Sequence, residues 1–145
     1  MNKDIKTQLE KAKELLNGSD FTCVLCKGET VLNSKEKGVK PLLQWLGADV
    51  DLTGFCAADK IAGKAAALLY VKLGVSAVYA QVMSKSALAV FEKHGIHAEY
   101  DTLAETIVNR SNTGICPMEQ AVSDISDPDE AITAIKNRIA ELNKK

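Results

Sequence analysis

Two stretches of this chain gather charged, polar and nucleophilic side chains. The first is Asp59-Lys60-Ile61-Ala62-Gly63-Lys64-Ala65-Ala66. The apolar run around it predicts a helix from about Ala57 to Leu73, which puts the stretch in the first turns. Lys60 and Lys64, four residues apart, would then share a face. Helix amides and two ammonium groups there favour a phosphate or carboxylate. Asp59 could pair with a lysine or accept from a ligand hydroxyl. Gly63 within a helix costs roughly 1 kcal/mol against alanine, yet its missing side chain permits close approach. The plainer reading is a solvated helix face with a stray glycine. The G-x-x-x-x-G-K-[ST] pattern of a phosphate loop is not in the sequence.

The second stretch is Asn109-Arg110-Ser111-Asn112-Thr113-Gly114-Ile115-Cys116-Pro117-Met118-Glu119. It begins as a polar loop and ends at a helix that Pro117 starts. A thiol at Cys116, just before that helix, is favoured as thiolate by the helix dipole. Glu119 falls in the first turn, where a carboxylate is electrostatically welcome and could accept a proton. The plainer reading makes Glu119 a cap reaching back to backbone, and Cys116 a small buried apolar group. No histidine stands near Cys116 in sequence to serve as its base.

The remaining cysteines and histidines argue against a metal. Cys23-Val24-Leu25-Cys26 has a C-x-x-C spacing, but in a strand residues three apart point to opposite faces. No second C-x-x-C occurs, and Cys56 and Cys116 stand alone. His94 and His97 flank Gly95 at a helix-to-strand joint, where surface positions are expected. Metal ligands and cofactors are therefore assigned to none of these residues.

The elements that must position the two stretches follow from periodicity and turn chemistry. Ile5, Leu9, Ala12, Leu15 and Leu16 predict a helix over residues 3–16, ended by Asn17-Gly18. Phe21 to Cys26 and Thr30 to Leu32 predict a hairpin about Lys27-Gly28-Glu29. Gly38 to Trp45 predicts a short helix starting near Pro41. After the helix from Ala57 to Leu73, Gly74 is the stop. Ser76 to Met83 reads as a strand covered on both faces, because it lacks polar alternation. Ser84 caps a helix that Gly95 ends, and Ile96 to Tyr100 is a strand. Residues 102–108 fit helix or strand equally. Asp127, Pro128 and Glu130 open a final helix with Ile132, Ile135, Ile139 and Leu142 as its stripe. A strand–helix–strand unit demands a parallel pair, so the sheet is mixed, with helices on both faces.

Together the central helix and three segments resemble a bacterial family of domains of unknown function whose fold is similar to that of cytidine deaminases. The segments are DKIAGKAAA (Asp59 to Ala67), MSKSAL (Met83 to Leu88) and NRSNTGICPME (Asn109 to Glu119). The resemblance covers nearly the whole chain. It implies a three-layer α/β/α mixed sheet, with a pocket where the helix starts meet. Cytidine deaminases carry an H-A-E or C-A-E signature after the hairpin and P-C-x-x-C after the next strand, holding zinc and a proton-shuttling glutamate. Here the first place reads Ala57-Ala58-Asp59-Lys60, close to Cys56. The second reads Ser84-Lys85-Ser86-Ala87, without a cysteine. The resemblance therefore implies the pocket's location and not zinc-dependent deamination.

The bulk properties bound these readings. The chain has 145 residues, 46% hydrophobic and 26% charged, which suits one globular domain with a radius of gyration of about 15 Å. No apolar run approaches a membrane span, and the start Met1-Asn2-Lys3-Asp4-Ile5-Lys6 has no secretory stretch. A bacterial cytoplasmic location and free thiols are the expectation. Eighteen basic and nineteen acidic residues nearly cancel, and no basic stripe points to nucleic acid. The expected function is binding, with or without a reaction, of a small anionic ligand such as a nucleotide or phosphorylated metabolite. Lys60, Lys64 and Arg110 would hold the anion, within about 10 Å of one another, roughly one Debye length at 0.1 M salt. Asp59 and Asn109 would orient the ligand, and Cys116 and Glu119 are the chemical groups. The alternative is a non-catalytic interaction or sensor domain on the same fold. A homo-oligomer is compatible with either. Protein purified without chelator should contain well under one zinc per chain by elemental analysis. A full equivalent, lost when Cys56 and Cys116 are replaced, would overturn this assignment.

Overall fold

Helix α1 (Lys3–Asn17) buries Leu9, Ala12 and Leu16, the three- and four-residue spacing expected of its apolar stripe. Strands β1 (Cys23–Lys27) and β2 (Thr30–Ser34) form the hairpin. Gly28 turns it with φ +59°, a conformation glycine adopts without strain. Then follow α2 (Lys40–Gly47), β3 (Cys56–Ala62), α3 (Lys64–Leu73), β4 (Ala77–Ser84), α4 (Lys85–Lys93), β5 (His97–Ala104), α5 (Pro117–Ala121) and α6 (Pro128–Leu142). This computed structural model describes residues 3–108 and 114–143.

The sheet runs β2-β1-β3-β4-β5. Strand β1 is antiparallel to β2 and β3, whereas β4 is parallel to β3 and β5. Helix α1 lies on β1, β3 and β4. On the opposite face α3 packs on β3, and α4 packs on β4 and β5. Helices α5 and α6 lie against α3. Two apolar clusters result. A small one (Val24, Cys26, Cys56, Ala58, Ala77, Tyr79) sits under α1. A larger one on the other face is built around Leu25, Ala57, Val78, Leu68, Leu69, Tyr70 and Phe91. Among the described residues no helix is long and apolar enough to cross a membrane.

The sequence expectation fails at the centre of this sheet. The stretch expected to be one helix from Ala57 to Leu73 is a strand, a glycine and a shorter helix. Periodicity could not separate them, because an unbroken run of small apolar residues is compatible with either state. Tertiary packing decides it. Cys56, Ala57 and Ala58 are completely buried between helices on both faces, and small side chains are what such a strand needs. Asp59 and Lys60 therefore lie on a strand, so Lys60 and Lys64 are not neighbours on a helix face. Gly63 is the residue before α3, with extended backbone, rather than a glycine inside a helix.

The other elements follow the expected chemistry. The Ser84 side chain accepts from the Ala87 N–H, and that of Asp127 accepts from the Glu130 N–H. Gly74 ends α3 with φ 84°. Strand β5 extends beyond Tyr100 to Ala104, and an isolated antiparallel bridge joins Val108 to Ile115.

Candidate functional site

Strand β3 enters α3 through Ala62 and Gly63, and this corner faces α5. The Glu119 carboxylate spans the gap. Its Oε1 accepts from the Lys64 N–H at 2.7 Å and its Oε2 from the Ala65 N–H at 2.8 Å. These are two of the four amides that the first turn of any helix leaves unpaired. A carboxylate is well placed there, because the helix dipole and both donors favour negative charge. The approach depends on Gly63. A Cβ at that position would stand 2.4 Å from both Cδ and Oε1 of Glu119. The Lys64 ammonium adds a tie from α3 to the turn after α5, donating to the Ser123 carbonyl at 3.0 Å.

This geometry revises the expected role of Glu119. Both its oxygens are engaged, so in this state it caps α3 and is not a free base. It does reach a backbone, as a cap should, but the backbone of a different helix 55 residues away. Cys116 is half-buried, and is the residue before α5, as expected. Its N–H donates to the Ile107 carbonyl at 2.9 Å. Lys60 is half-buried on β3, and its N–H donates to the Thr22 carbonyl of the neighbouring chain segment at 3.2 Å. Asn109 and Arg110 lie outside the described residues, and with them the expected meeting of Arg110 with Lys60 and Lys64.

Asp59 sits deeper. It is 7% exposed and points to the α3 side of the sheet. Tyr70 on α3 donates its hydroxyl to Asp59 Oδ2 at 2.7 Å. The Cys23 thiol lies 3.2 Å from the same hydroxyl. Thiol, phenol and carboxyl thus form one buried hydrogen-bonded chain. Burial pushes the Asp59 carboxyl up to about 7, against the opposing pull of the Tyr70 hydroxyl and the Ile61 and Lys60 amides. Burial likewise raises Tyr70 and Cys23 well above their ordinary values, and the nearby Asp59 charge adds to both. Sequence reasoning found Asp59 but missed Tyr70 and Cys23. Only the register, which sets Cys23 opposite Asp59, brings them together.

The C-x-x-C pair is split as strand geometry requires, Cys23 in one cluster and Cys26 in the other. His94 and His97 are exposed, and His97 Nε2 lies 2.8 Å from Glu99. Among the described residues no three His, Cys, Asp or Glu side chains are grouped as metal ligands would be.

Fold and corner together define a mixed α/β domain whose third helix begins on a carboxylate. The chain belongs to the TM1506 family of domains of unknown function, DUF1893, whose model matches residues 11–139. The crystal structure of a DUF1893 family protein (TM1506) from Thermotoga maritima is similar to it. The two share 28% sequence identity and a TM-score of 0.83, over 92% of this chain and 90% of that one. No curated protein matches the chain.

Two outcomes follow from the geometry. Gly63→Ala and Glu119→Ala should each lower stability by about 0.5–2 kcal/mol, the usual range for a lost N-terminal cap. The double variant should lose little more than the worse single one, since both remove the same clamp. Urea denaturation of the four proteins measures this, and additive losses would show that the two residues act separately. The second outcome concerns pH. The folded chain keeps a proton on Asp59 that the unfolded chain releases near 3.8. The stability Asp59 contributes is thus complete below about pH 4 and is lost as pH rises through about 7. Asp59→Asn should flatten this decline in a series of denaturation curves from pH 4 to 8. Parallel profiles for the two proteins would contradict the assignment.

Proposed function

We propose that the protein binds a small anionic ligand, such as a nucleotide or phosphorylated metabolite, where β3 meets α3, without zinc-dependent deamination. One observation carries this reading: two adjacent α3 amides already hold a carboxylate, over a glycine that leaves room for it. A ligand phosphate or carboxylate would use the same donors. In the free chain Glu119 fills the place. The incoming anion replaces it, with Lys64 and Arg110 supplying positive charge and Asn109 orienting the rest of the ligand. Lys60 follows Asp59 on β3 and so faces the other side of the sheet, and buried Asp59 is already held by Tyr70. Displaced Glu119 then becomes a carboxylate able to accept a proton, and Cys116 is the nucleophile nearest to it in sequence.

The sheet order supports a deaminase-like reading of the fold, in which ligands enter where the starts of α3 and α4 meet. The starts of these helices read Gly63-Lys64-Ala65 and Ser84-Lys85-Ser86, with no cysteine or histidine for zinc. The rival is an interaction or sensor domain. It is favoured by Val108 and Ile115, which are 52% and 47% exposed and stand opposite each other on their bridge.

Thermal denaturation with inorganic phosphate, nucleoside monophosphates and sugar phosphates separates the two. A ligand at 100 times its Kd adds about 2.7 kcal/mol, or a Tm rise of several degrees for a chain of this length. The rise should be saturable, smaller in Lys64→Gln and Arg110→Gln, and larger in Glu119→Gln, where the internal competitor has lost its charge. If no anion moves the Tm of wild type or Glu119→Gln, the interaction-domain reading stands instead.

A further inference from the structure

The C-x-x-C spacing is broken by the fold, but the sheet register makes a different thiol pair. Cys26 on β1 is directly opposite Cys56 on β3. Both side chains belong to the cluster beneath α1, and both are 0% exposed. The Lys60 N–H donates to the Thr22 carbonyl, which marks Thr22 and Lys60 as a hydrogen-bonded pair. Every second pair along an antiparallel ladder is of this kind, so Cys26 and Cys56 are another. Opposed α-carbons at such pairs are about 5.5 Å apart, within the roughly 4.4–6.8 Å that disulfides span. Opposed β-carbons at about 4.5–5.5 Å exceed the ~3.8 Å mean of disulfides. Closing the bond must draw the strands together, and a bond made against such resistance is easily reduced. Neither other thiol has such a partner. Cys23 faces Ser34 and Asp59 across the ladder, and Cys116 lies at the start of α5.

We propose that Cys26 and Cys56 form a redox-modification site, a cross-strand dithiol that a low-molecular-weight disulfide oxidises reversibly. In the first step one cysteine thiolate attacks the reagent, forming a mixed disulfide and releasing one reagent thiol. In the second the opposite cysteine displaces the remaining reagent thiol. The protein thus gives up two protons and two electrons, and the reagent disulfide becomes two thiols. Cys26 attacks first. Burial raises both thiols, Cys56 to about 11, but the Lys11 ammonium opposes the rise at Cys26. Helix α1 covers the pair, and the Cys56 thiol donates to the Ile5 carbonyl at 3.4 Å. Exchange therefore waits on local opening of α1, so the site reports events that lift that helix.

The test uses full-length Cys116→Ser protein, which lacks the half-exposed competing thiol. It is incubated with oxidised glutathione in native buffer, then digested and mapped by mass spectrometry without reduction. The expected product has lost two hydrogens, links the Cys26 and Cys56 peptides, and reverts with reduced glutathione. The same treatment of wild-type protein gives the same linked peptides and guards against a folding defect in the variant. A bridge to Cys23 would overturn the proposal. So would stable mixed disulfides alone, or no bridge after the α1 amides have exchanged with deuterium.

Discussion

Strand β3 has helices pressed on both faces, and only small side chains let both come close. Cys56, Ala57 and Ala58 alternate between the α1 side and the α3 side. They join the antiparallel hairpin to the parallel half of the sheet, since β3 pairs with β1 on one edge and β4 on the other. A larger residue at any of these positions would push one helix off the sheet, because well-packed interiors absorb extra methylenes only with strain. The same closeness brings Tyr70 of α3 within hydrogen-bonding distance of Asp59. The polar chain through Asp59 is thus a consequence of packing as well as of chemistry.

The corner after β3 solves a second problem. A helix that follows a buried strand directly must begin in the interior, where its first amides cannot all reach water. Ser, Thr, Asp or Asn usually serves as a local cap. Gly63 has no side chain to do so, and the cap arrives from α5 as the Glu119 carboxylate. Glycine is thereby required at the position where a local cap is missing. One substitution of residue type couples α5, which buries no residue of its own, to the centre of the fold.

Legibility in the sequence divided along physical lines. Elements ended by backbone chemistry were readable: the hairpin at Gly28, the cap at Ser84, and the Asp127-Pro128-Glu130 start of α6. Each depends on neighbours within four residues. The strand over Cys56 to Ala62 was not readable, because its alanines favour helix locally and burial on two faces overrides that preference. The site divided in the same way. Gly63, Lys64 and Glu119 stood out by residue type, and the unusual glycine was a real signal. Its meaning was contact with a residue 56 positions later, which no local pattern encodes. Tyr70 carried no signal, since a tyrosine in an apolar helix reads as core.

Asp59 shows how the buried chain and the corner depend on each other. An isolated ionised carboxylate in such a place is strongly disfavoured, so each donor that reaches its oxygens matters. Tyr70 supplies the close donor at 2.7 Å, while the Ile61 N–H is the longer one at 3.4 Å. Tyr70 is the seventh residue of α3, so the position of its hydroxyl depends on where that helix begins. The Glu119 clamp fixes that beginning. Whatever loosens the clamp shifts Tyr70 relative to Asp59 and alters how far the carboxyl is held from ionising. Removing the Glu119 carboxylate should therefore be felt at a proton buried beneath it, through the helix that both groups share.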